Sequence, residues 1–97
     1  MIKLFISQPM RGRSDDEIIA EREYVKLAAE RLLKEDVVVI DSFFQGGDMR
    51  PLEYLGESLK LLAGADWAWF CEGWEQARGC KIENTCAREY GIPILNA

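Results

Sequence analysis

Glu83 is the residue of this 97-residue chain whose surroundings most suggest chemistry. The segment GWEQARGCKIENTCAREYGIPIL, Gly73 to Leu95, sets it in the first turns of a predicted helix behind a glycine-containing loop. That helix is expected to start near Gly79, turn Glu83 toward the strand ends and stop at Gly91, ahead of a short final strand from Ile92 to Leu95. A carboxylate placed there can act as a nucleophile or a general base; its plainer role is to complement the positive end of its own helix. The chain has no histidine, which removes Ser-His-Asp and Cys-His nucleophile systems and imidazole zinc sites. Acid–base work therefore falls to carboxylates, tyrosine, lysine or cysteine. Cys71, Cys80 and Cys86 are an odd number with no CxxC pair, so reduced thiols are expected. Cys80 and Cys86 fall on different faces of the Glu83 helix and read as small buried apolar residues.

The elements that would position Glu83 alternate between strand and helix. Ile2 to Ser7 reads as a buried strand, and Ser14 with Glu17 forms the Ser-x-x-Glu signature that opens a long helix. In that helix Ile18, Val25, Ala28, Ala29, Leu32 and Leu33 make a core-facing stripe, interrupted at Glu21 and Arg22. Val37 to Ile40 is a β-branched run of the kind covered on both faces, ended by Asp41. The stretch Ser42 to Arg50, with Gly46, Gly47 and Asp48, reads as a loop. Pro51 then starts a helix to about Leu62, buried through Leu52, Leu55, Leu59 and Leu62. Asp66 to Phe70 is the third strand, with Asp66 expected to cap a turn through nearby N–H groups.

The order is βαβαβαβ. It predicts an α/β fold, a three-layer flavodoxin- or Rossmann-like sandwich whose parallel sheet has about four strands in the order 2-1-3-4. Ligands in such sheets bind beyond the carboxyl ends of the strands, at the switch between strands 1 and 3. Three loops matter on this reading: Gln8 to Arg13, Asp41 to Arg50 and Cys71 to Arg78.

The bulk composition limits the partners. The length suits a single domain spanning residues 1–97, with 48% hydrophobic and 30% charged residues. A net charge of −5 with scattered basic residues argues against duplex nucleic acid. No stretch approaches a membrane span and MIKLFIS is too short for a signal peptide, so a cytoplasmic protein without membrane association is expected. Trp67 and Trp69 are expected in the core or at an interface, whereas Trp74, in a loop, is open to stacking on a base or to a subunit contact. Phe43 and Phe44 admit the same two readings.

The opening FISQPMRGRSDDEI and the later GADWAWFCEGWEQARGCKIENTCAREYGIPI resemble a small, poorly characterised phage and bacterial family within the nucleoside 2-deoxyribosyltransferase-like superfamily. Together they cover about half of the chain. The match at Glu83 rests on Gly79 before it, Ala87 and Pro93 after it, and Ala65 and Asp66 ahead of it. The resemblance implies that Glu83 attacks the anomeric carbon of a sugar and displaces the base, chemistry in which a carboxylate stabilises or traps an oxocarbenium-like centre. The predicted function is N-glycosidic bond cleavage or deoxyribosyl transfer on a nucleotide or nucleoside, without cofactor or metal.

Met10, Arg11 and Gly12 resemble the loop that lies against sugar and phosphate, where Arg11 and Arg13 can hold a phosphate beside the helix starting at Ser14. Ser7 and Gln8, at the end of strand 1, either line the pocket or form a turn. Asp41, Ser58, Trp74, Arg78 and Gly79 complete the expected substrate pocket. Ser58 stands where many active members have an aspartate, and Ala77 and Arg78 stand where transferases have another. Proton delivery to the leaving base would then pass to Glu57, Asp41 or Glu75. The same departures favour an alternative, a non-catalytic nucleotide-binding protein that acts as a sensor or sequesters its ligand. The resemblance also implies a homo-oligomer, a dimer or higher.

Overall fold

Among the described residues, the fold is a parallel sheet between one helix on one face and two on the other. It is described by a computed structural model over residues 1–44 and 47–97. The expectation for Gly46 lies outside the described residues. Strands β1 (Ile2–Ser7), β2 (Val37–Val39) and β3 (Trp67–Phe70) run in the order β2-β1-β3. Ile2 lies opposite Val37, and Ser7 lies opposite Phe70. Helices α1 (Asp15–Leu33), α2 (Pro51–Ala63) and α3 (Arg78–Glu89) follow the three strands in turn, with a short 3-10 turn at Trp74–Gln76.

Local chemistry sets the helix ends. The Ser14 hydroxyl accepts the Glu17 N–H at 3.2 Å, and the Glu17 carboxylate accepts the Ser14 N–H at 3.0 Å, so the capping box predicted for α1 is formed. At the far end of α3, Gly91 takes φ +76°, a left-handed conformation that costs glycine little, and the Ile92 N–H returns to the Ala87 carbonyl at 2.9 Å.

The alternation of β1 and β3 divides the core in two. Leu4 and Ile6 meet Val25 and Ala29 of α1 on one face, with Trp67 and Trp69 packed alongside. Phe5, Ala68 and Phe70 meet Leu62 of α2 and Ala87 of α3 on the other. Among the described residues, no helix is long and apolar enough to cross a membrane.

The structure corrects five expectations. Among the described residues the sheet has three strands, because the segment from Ile92 to Leu95 contributes only one parallel bridge, Ile94 to Ala68. Pro93 has no N–H to extend the ladder; its carbonyl accepts the Ala68 N–H at 2.9 Å, and the Leu95 N–H returns to the Ala68 carbonyl at 2.8 Å. Beyond the bridge the Asn96 side chain takes over, with Oδ1 accepting the Phe70 N–H at 3.0 Å and Nδ2 donating to the Phe70 carbonyl at 2.7 Å. Strand β2 is an edge strand and is not covered on both faces: Val38 is 45% exposed. Leu52 is 77% exposed, since the first turn of α2 overhangs the sheet end, and Leu32 is 61% exposed on the outer side of α1. Asp66 caps no nearby turn; its Oδ2 accepts the N–H of Lys3, tying the start of β1 to the start of β3 at 2.8 Å.

Candidate functional site

A cleft of about 990 Å³ opens at the carboxyl end of β1, between the first turns of α2 and α3. Its floor is formed by the end of β1 and by Glu83. Ser7, the last residue of β1, donates its hydroxyl to Glu83 Oε1 at 2.6 Å, joining residues 76 positions apart in the chain. Ser7 is 2% exposed and Glu83 8% exposed. Burial pushes the Glu83 carboxyl above its ordinary value, while hydrogen bonds from the Ser7 and Ser58 hydroxyls favour the charged form and pull it back. The Cys80 thiol, one turn earlier on α3, is also raised, again mainly by burial. The site thus holds one carboxyl raised above its ordinary value and one thiol kept neutral near pH 7.

The rim is cationic. Arg11 arrives from the loop after β1, Arg50 from the residue before α2, and Arg78 from the first residue of α3. Neither Arg11 nor Arg78 has a hydrogen-bond or ion-pair partner among the described residues. Arg50 lies 3.5 Å from Glu53 with 88% of its side chain exposed. The N-terminus of α3 adds to this field: Ala77 offers no side-chain cap, and the first turn holds no acidic residue. The apolar side of the cleft includes Phe44 and Tyr54, whose rings are 5.9 Å apart and tilted by 37°.

The chain belongs to the DUF4406 family. That family is described as a domain of unknown function, and its model matches residues 2–96. No curated protein matches the chain.

In this DUF4406 chain, eight of the residues singled out in the sequence, Ser7, Gln8, Met10, Arg11, Ser58, Arg78, Gly79 and Glu83, line the cleft. Four other expected residues do not line it. Gly12 sits at φ +76° in a turn closed by the Arg13 N–H on the Met10 carbonyl, 3.2 Å away, which shapes the loop from outside the cleft. Arg13 is engaged elsewhere, donating to Glu21 at 2.7 Å and to the Pro9 carbonyl at 2.9 Å. Asp41 lines a separate groove along β2. Trp74 packs its ring 5.6 Å from that of Phe70, within the α2–α3 side of the core.

Gln8 is in the lining, but both ends of its amide serve the scaffold. Its Nε2 donates to the Ile18 carbonyl at 3.0 Å and to Glu21 at 2.8 Å, and its Oε1 accepts from Arg22 at 3.2 Å. Arg22 also reaches the Ile40 carbonyl at 2.9 Å and the Ser42 hydroxyl at 3.3 Å. The two charged interruptions in the α1 stripe, Glu21 and Arg22, therefore hold the loop after β1 and the end of β2 in place. Glu21 also lies beside Cys71, whose thiol is pushed up to about 12 by burial first and by that carboxylate second.

The sequence reading missed Arg50 and Tyr54 and left Phe44 undecided. A signal was present, because Arg50, Tyr54 and Ser58 recur every four residues and so share one face of α2. The adjacent pair Phe43 and Phe44 separates, Phe44 to the cleft and Phe43 to the β2 groove.

Proposed function

We propose that this chain cleaves or transfers the N-glycosidic bond of a nucleotide or nucleoside, with Glu83 as the nucleophile, in a site of the nucleoside 2-deoxyribosyltransferase-like type. The observation that carries the proposal is the Glu83 carboxylate, buried at the cleft floor and held at 2.6 Å by the Ser7 hydroxyl. A carboxylate oxygen attacks the anomeric carbon, the bond to the base breaks, and the base leaves with the electron pair and takes up a proton. Water or a second base then releases the glycosyl group from Glu83. Burial away from bulk water strengthens the attraction between the carboxylate and the positive charge developing on the sugar. Arg11 and Arg78 suit a phosphate on the sugar, and Phe44 and Tyr54 offer ring faces to the base.

One observation favours the second reading, a nucleotide-binding protein without turnover. Glu83 is the only carboxylate in the lining among the described residues, whereas glycosyl transfer of this kind ordinarily uses two. Glu57 pairs with Lys60 at 3.2 Å, and neither it, Asp41 nor Glu75 lines the cleft. Incubation with a panel of deoxynucleoside monophosphates, other nucleotides and nucleosides, analysed for free base, separates the two. Base release that is abolished in a folded Glu83→Gln variant supports catalysis. Saturable nucleotide binding with no base released by the wild type supports the sensor reading and removes Glu83 as a nucleophile.

A further inference from the structure

Among the described residues, the cleft lining holds one carboxylate and no second group suited to give up a proton. Arg11, Arg50 and Arg78 carry guanidinium groups, which keep their protons in proteins. The Cys80 thiol is held neutral by burial, so its thiolate is a poor product of proton transfer. The Tyr54 hydroxyl sits beside the loop before α2, where a Cβ on Gly47 would come within 3.3 Å of it. The Ser7 and Ser58 hydroxyls are both engaged with Glu83 itself. Glu53, at the start of α2, accepts the Arg50 N–H at 2.9 Å and is outside the lining. Gln45 and Gly46, outside the described residues, carry no acidic group. Glu83 can attack as a carboxylate or donate as an acid, but not both in one step.

Such a lining discriminates between leaving groups. A neutral base departs as an anion unless an acid protonates it while the bond breaks, and that assistance is ordinarily worth about 100-fold or more. We propose that the substrate is a nucleotide whose base already carries a positive charge on its ring, a pyridinium or a purine alkylated at a ring nitrogen. This rests on the glycosidic reading of Glu83 and names the substrate that a single carboxylate can process. A Glu83 oxygen bonds to the anomeric carbon, the carbon–nitrogen bond breaks, and its electron pair cancels the charge on the ring, so the base leaves neutral without taking up a proton. Water then attacks the same carbon, the bond to Glu83 breaks to restore the carboxylate, and the water proton passes to solvent. The charge layout of the cleft matches such a ligand at both ends. Its phosphate meets the cationic rim at Arg11 and Arg78, and its cationic ring meets the anionic floor and the Phe44 and Tyr54 ring faces. A cation beside Glu83 also favours the ionised carboxylate, offsetting the burial that raises it, which a neutral base does not do.

Two matched pairs test the proposal, each differing in the charge on the base: 7-methylguanosine 5′-monophosphate against guanosine 5′-monophosphate, and nicotinamide mononucleotide against its reduced form. Each is incubated with the purified full chain, and free base is measured chromatographically above the rate without protein. The charged member of at least one pair should release its base about 100-fold faster than its neutral mate or more, and Glu83→Gln with unchanged far-UV circular dichroism should abolish the release. Comparable release from charged and neutral members, lost in Glu83→Gln, overturns the proposal and leaves Glu83 as the nucleophile of an ordinary glycosidase. Release that survives in Glu83→Gln overturns it as well. No release from either pair, nor from the wider panel of neutral nucleotides, removes Glu83 as a nucleophile and this substrate class with it.

Discussion

Glu83 combines two demands that oppose each other: the burial that would strengthen its action on a sugar also disfavours its charge. Its carboxyl is raised above the ordinary 4.5, chiefly by burial. The folded state therefore holds its proton to higher pH than the unfolded state does, and binds more protons across that interval. Its contribution to stability is then fullest below pH 4.5 and is lost as pH rises through the folded value, leaving a penalty at neutrality. Urea unfolding across a pH series should show this fall in the wild type and a flatter profile in Glu83→Gln, with the variant the more stable of the two at pH 7. Identical profiles would mean that the side chain is not held in a desolvated site. Arg13 shows where residue-level reading reached its limit: its type and loop suited a phosphate, but Glu21, eight positions along, takes its guanidinium at 2.7 Å. Nothing in the local pattern distinguishes a free arginine from one paired across a turn.

At the level of elements, what was legible was what is determined locally. The Ser14–Glu17 box, Pro51 in the first turn of α2 and the stop at Gly91 each depend on a few adjacent residues, and all three are found where expected. Replacing Ser14 with alanine removes the acceptor for the Glu17 N–H and should lower the melting temperature by about 4–8 °C, measured calorimetrically. The fourth strand was not legible, because strand pairing depends on a distant partner, and the apolar content of Ile92 to Leu95 outweighed the missing N–H of Pro93. The cleft face of α2 was obscured by its leucines. They supplied a convincing core stripe, while the polar series Arg50, Tyr54 and Ser58 on another face carried the site. The resemblance located the loops around Glu83, but the Phe44–Tyr54 wall comes from the half of the chain that it did not cover.

Across the whole molecule, charge is distributed unevenly. A chain with net charge −5 gathers Arg11, Arg50 and Arg78 around a single carboxylate at one end of its sheet, an arrangement that draws anions to the cleft. At its β3 edge the sheet stops. Because Asn96 lends its amide to both backbone groups of Phe70, β3 does not end in a bare row of donors and acceptors beside its apolar Trp-Ala-Trp-Phe sequence. An unpaired strand of that composition is a template for intermolecular stacking. Asn96→Ala should therefore keep its helix content yet scatter light on mild heating, at a temperature where the wild type remains clear. One amide side chain is in this sense a guard against aggregation, preventing neighbouring molecules from extending the sheet.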